Sequence, residues 1–102
     1  MEKFRGDTFL RRIKSSNYTF KEGDKLHVAI LKNPYSEEYL YEDIIEFIAD
    51  TSFVDLEISA EEMAKLPIGK LLLEIELTTE EGFVQTHQYD LKIDKDGIYD
   101  RN

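Results

Sequence analysis

The sequence predicts an all-β fold, an antiparallel sandwich of about six to seven strands with one short helix near residues 60–66. Three observations carry this reading. Apolar residues mostly alternate with polar ones, turn residues punctuate the chain at short intervals, and one segment alone carries a helix-start signature. Turn signals fall at Arg5-Gly6-Asp7, Lys21-Glu22-Gly23-Asp24, Asn33-Pro34, Pro67-Ile68-Gly69, Thr79-Glu80-Glu81-Gly82 and Asp94-Lys95-Asp96-Gly97.

Between these turns the stripes follow in order. The first segment sets Phe9 and Ile13 on one face together with Arg11, a charged residue in an otherwise apolar row. Leu26, Val28 and Ile30 share a face. So do Val54, Leu56 and Ile58, with Asp55 and Glu57 turned outward. Leu71, Leu73, Ile75 and Leu77 form the clearest stripe, opposed by Glu74 and Glu76, and Tyr89, Leu91 and Ile93 alternate with Asp90 and Lys92. One wet face per strand is the pattern of antiparallel sheets. Residues 39–49 read as a strand from their β-branched and aromatic content, with an amphipathic helix built on Ile44, Ile45, Phe47 and Ile48 as the alternative. Ser59-Ala60-Glu61-Glu62 matches a capping box and Pro67 ends the run, which predicts a helix over Ala60–Leu66.

The chain of 102 residues is the size of one domain, and no repeat, linker or low-complexity tract divides residues 1–102. It opens Met-Glu-Lys and has no long apolar run, so neither a signal peptide nor a membrane span is expected. The absence of cysteine excludes disulfides, thiolate metal sites and cysteine nucleophiles. A net charge of −9 repels phosphate and argues against nucleic acid as a ligand. The charge is uneven. Residues 1–32 carry eight basic and four acidic groups, whereas Asn33–Ala64 holds ten acidic groups and no Lys or Arg. Cross-strand pairing within the domain accounts for this most simply, and a positive face meeting the negative face of a neighbour is the sharper alternative.

The candidate chemical motifs are weak. Arg5-Gly6-Asp7 is an integrin-type tripeptide but reads as a turn into the first strand, because glycine tolerates the dihedrals required. Asp94, Asp96, Gly97 and Asp100 lack the glycine placement and closing glutamate of a calcium loop. His27 and His87 each sit in a strand without a second ligand at metal spacing. Glu61 and Glu62 are adjacent on the predicted helix and cannot face one another as an acid–base pair. No catalytic, cofactor or metal residues are assigned, and a non-enzymatic protein is expected. Tyr35, Tyr39 and Tyr41 follow Pro34. They are the candidate protein interface, since tyrosine offers rigid area with a polar tip; covering one end of the sandwich is the plainer role, and carbohydrate recognition is a further one.

Three stretches resemble a family of small immunoglobulin-like sandwich modules encoded among bacteriophage structural genes, similar to the N-terminal domain of phage baseplate upper proteins. They are Arg5-Gly6-Asp7-Thr8-Phe9, then Tyr18-Thr19-Phe20-Lys21-Glu22-Gly23-Asp24-Lys25-Leu26, then Val54–Tyr89 with its Glu61-Glu62…Leu66-Pro67-Ile68-Gly69 element leading into a central strand. Where the family's central strand commonly carries aromatics, this chain has Leu71-Leu72-Leu73. The resemblance implies an immunoglobulin-like sandwich and a structural or accessory role in a tail, baseplate or neck assembly. It also implies other virion proteins or a second copy as partners, a possible homo-oligomer, and location in the virion or host bacterial cytoplasm. A bacterial cytosolic adaptor binding a peptide along a sheet edge is the alternative.

Overall fold

The computed structural model describes residues 2–4, 7–14 and 18–94, with side chains from residue 7 onward within those segments. Seven strands and one helix follow in the order β1 (Glu2–Phe4), β2 (Phe9–Ile13), β3 (Lys25–Leu31), β4 (Tyr41–Glu46), β5 (Val54–Ile58), α1 (Ala60–Ala64), β6 (Gly69–Thr78) and β7 (Val84–Asp94).

They pair into a five-stranded sheet of order β1-β7-β6-β3-β4 and a two-stranded sheet of β2 and β5. Four strands of the larger sheet are antiparallel, and β1 adds a short parallel edge against Lys92–Asp94. Strands two and five of the chain thus face strands three, four, six and seven across the core. That is the connectivity of an immunoglobulin-like sandwich, with the smaller sheet cut to two strands.

The alternating stripes land where their period requires. Leu26, Val28 and Ile30 of β3, Leu71, Leu73 and Ile75 of β6, and Leu91 and Ile93 of β7 pack against Phe9 of β2 and Leu56 and Ile58 of β5. Complete burial of one such side chain contributes about 1.5–3 kcal/mol. Phe20 and Phe47 stack with ring centroids 4.7 Å apart and close one end of the core, while Met63 and Leu66 are buried toward the other end, where the α1 segment leads into the start of β6. On the opposite face of the larger sheet, Ala29, Leu31 and Leu72 form a second small buried cluster.

Residues 41–46 are a strand. Its register against β3 sends Ile45 inward opposite Leu26 and leaves Ile44 outward opposite His27, so the apolar residues that a helix would gather on one side are split between two faces. The predicted helix over Ala60–Leu66 is shorter than expected and ends at Ala64. Pro67 disfavours helical backbone at Leu66, and the last turn tightens, with the Lys65 and Leu66 amides donating to Glu62 and Met63 carbonyls three residues back. The capping box forms on its serine side: the Glu62 amide donates to Ser59 Oγ at 3.2 Å.

Two turns need glycine. Gly23 at φ 94° completes the turn in which the Asp24 amide donates to Lys21 carbonyl oxygen, and Gly82 at φ 95° closes the β6–β7 hairpin. The sequence signals at Arg5-Gly6 and at Asp96, Gly97 and Asp100 lie outside the described residues. Asp7 is exposed, and the Asp94 carboxylate lies 3.7 Å from Lys92 Nζ.

Candidate functional site

The unequal sheets create the main concave feature. Two strands cannot cover the inner face of four, and the first half of β7 extends past the small sheet, with Val84–Gln88 exposed throughout. Between β2 and this overhang lies a cleft of about 400 Å³, floored by Leu26, Ile75 and Leu77 and rimmed by Arg11, Lys14, Gln85, His87 and Tyr89. That volume falls within the range of small-ligand and peptide-side-chain sites.

Arg11 is the residue that shapes it. Its position in β2 turns it inward with Phe9 and Ile13, and its guanidinium lies over the Tyr89 ring, 4.5 Å from the centroid. The His87 and Tyr89 rings stack at 6.5 Å along the opposite wall, and Lys14 stands exposed at the mouth. Arg12 faces the other side of the small sheet. There it makes two hydrogen bonds to Asp55, through Nε at 2.8 Å and Nη2 at 3.2 Å, and covers the Phe53 ring. The hydrogen bond from Arg12, helped by its charge, holds the Asp55 carboxyl below the usual carboxylate range against the opposing effect of desolvation.

A second concavity of about 370 Å³ lies over Asp24, the one buried polar side chain among the described residues. Its carboxylate accepts from the Tyr18 hydroxyl at 2.5 Å, the Lys21 amide at 2.9 Å and the Glu80 amide at 3.4 Å. Burial works to raise this carboxyl. The hydrogen bonds and the Lys21 charge outweigh it, so the group titrates below its ordinary value. These bonds tie the β2–β3 connection to the β6–β7 hairpin, which gives the cluster a structural role.

The sequence-predicted tyrosines do not share one environment. Tyr35 is 91% exposed on the β3–β4 connection, Tyr39 is half-exposed with its ring edge-on to His27 at 5.4 Å, and Tyr41 is partly buried against the core. Burial, then the charges of Asp43 and Glu62, raise the Tyr41 hydroxyl above its ordinary value. His27 Nε2 lies 2.6 Å from Glu42 Oε2 across the β3–β4 ladder. Tyr39 and Ile44 flank His27, so an apolar strip borders the acidic residues of β4.

Part of the charge asymmetry resolves into cross-strand pairs: Arg12 with Asp55, Lys25 with Glu46 at 3.9 Å, and His27 with Glu42. Glu37, Glu38 and Asp43 lie outside these pairs along the exposed β4 side. The cleft was not assigned from sequence, although the charged Arg11 inside an apolar stripe was its one visible sign. Among the described residues no three His, Asp or Glu side chains gather as metal ligands, and no helix is long and apolar enough to cross a membrane. The sequence matches no protein-family model, and no curated protein or solved structure is similar to it.

Proposed function

We propose that this chain is a non-enzymatic assembly module that works through protein–protein contacts, as a structural or accessory part of a bacteriophage or prophage tail, baseplate or neck, in the virion or the host cytoplasm. The observation that carries the protein-binding reading is the β4 side of the larger sheet. Tyr35, Tyr39, Leu40 and Ile44 stay exposed there beside five acidic residues, on an edge strand with no further strand paired to it among the described residues. Apolar and aromatic area rimmed by charge is the composition of a protein contact. The phage context rests on the sequence resemblance alone, which is architectural.

The test has two arms. Neighbouring capsid, tail or holin genes support the virion context, and metabolic or signalling neighbours oppose it. Purified chain is then titrated against each co-encoded structural protein, with Tyr35→Ala and Ile44→Asp variants as controls. Binding that both variants weaken supports the reading, and no binding to any of them refutes it.

The adaptor alternative is favoured by a separate observation, the open edge of β7 beside a cleft, where an extended peptide could add a strand.

A further inference from the structure

The two outer edges of the larger sheet are complementary. At one side β4 is an edge strand with Glu42, Asp43 and Glu46, preceded by Glu37 and Glu38 and with no Lys or Arg between Asn33 and Ala64. At the other, β1 covers β7 only at Lys92–Asp94, so Val84–Leu91 has no outer neighbour among the described residues, and Arg11 and Lys14 overhang that stretch. An uncovered strand edge presents a row of amide and carbonyl groups able to pair with another chain.

The directions fit as well. β7, β6, β3 and β4 are successively antiparallel, so β4 runs opposite to β7. A second copy placed beside the first in the same orientation therefore brings its β4 antiparallel to the open β7 edge. The faces are preserved by the same operation. Asp43 is the register partner of Val28 and lies on the core-side face of β4, while His87 and Tyr89 occupy that face of β7. Asp43 of the incoming copy thus meets the side of the sheet where Arg11 and Lys14 line the cleft.

We propose that the chain self-associates head to tail, with the acidic β4 edge of one copy adding to the open β7 edge of the next beneath Arg11 and Lys14. The contact is heterologous, so it generates rings or open filaments rather than a closed two-fold dimer. This rests on the assembly reading above and names a second copy of the chain as the partner.

Sizing and mass measurements on the full chain test it, at concentrations up to about 1 mM. At low salt the mass grows beyond a dimer with concentration, and raising salt toward about 1 M weakens association about tenfold or more. Asp43→Lys and the exposed Lys14→Glu each weaken self-association about tenfold, and the double variant Asp43→Lys/Lys14→Glu recovers much of it by restoring opposite charges at the contact. Both positions are exposed, so folding survives, and circular dichroism checks it. A wild-type chain that stays monomeric throughout overturns the proposal, as does a mass that stops at a dimer or association indifferent to both variants. Binding to a co-encoded protein is measured separately, so a monomer that still binds one sinks only the head-to-tail contact. A monomer that captures unrelated acidic peptides in the cleft marks an adaptor and also overturns self-assembly.

Discussion

The Tyr18 hydroxyl donates to Asp24 Oδ2 at 2.5 Å, and through Asp24 the segment before β3 is bound to the Glu80 amide in the β6–β7 hairpin. The hydrogen bond to Asp24, then burial, then the charges of Asp24, Glu81 and Asp50 push the tyrosine pKa from 10.0 up to about 12. A folded-state value above the unfolded one means stabilisation that is complete below pH 10 and lost as pH rises toward 12. Denaturant midpoints should fall across that window, and Tyr18→Phe should lower the neutral-pH midpoint while flattening the alkaline decline. An unchanged decline in the variant would assign it to other groups.

Asp24 gives the acid counterpart. Its folded-state value is depressed below 3.8, so its contribution is present above that pH and disappears as pH falls through the lower folded value. Asp24→Asn should cost about 2 kcal/mol near neutrality, since it weakens bonds to a charged acceptor and forces a donor among donors. The variant should also lose less stability than wild type on acidification. Chemical denaturation at a series of pH values reads both effects.

Leu73 is fully buried at the centre of the β6 stripe, opposite Ile30 and Tyr89. Leu73→Ala should lose about 2–5 kcal/mol through lost transfer energy and the cavity left behind. Equilibrium unfolding checks this, and a loss under about half a kilocalorie would place that face in water.

Gly23→Ala combines two penalties. The backbone sits at φ 94°, and a new Cβ would approach the Glu80 side chain to 2.8 Å. A flexible carboxylate can swing aside, so the backbone strain dominates, at about 1–2 kcal/mol. Thermal melts should show the loss, and Gly23→Asn should recover part of it because asparagine tolerates the left-handed region.

The sandwich was legible because burial on one face per strand writes a two-residue rhythm into the chain, clearest in Leu71, Leu73, Ile75 and Leu77. The capping box at Ser59 was legible for a similar reason, since the bond joins residues three apart. The early half of β7 carries no such rhythm: His87 was read into a strand, but Gln85, Thr86, His87 and Gln88 are all exposed, and their strand state comes from pairing with Glu74–Leu77. The β1 edge was equally silent, being three residues held by a strand some ninety positions later. The Asp24 cluster joins residues 6 and 56 positions apart, a proximity that a turn signal at Gly23-Asp24 could not reveal. The cleft needed both Arg11 facing inward and a smaller sheet too narrow to cover β7, and only the first was written locally.

The overhang of β7 divides one strand into two regimes of local opening. Leu91 and Ile93 lie at the core with no exposure, whereas Val84–Gln88 stand in solvent at the rim of the sheet, paired on one side only, to β6, among the described residues. Amide hydrogen exchange should therefore be graded along the strand, with the singly paired Val84–Gln88 rim fraying through low-energy excursions and the Leu91–Ile93 end exchanging only when the whole domain unfolds. The molecule thus keeps a rigid anchor and a compliant tip within a single stretch of backbone.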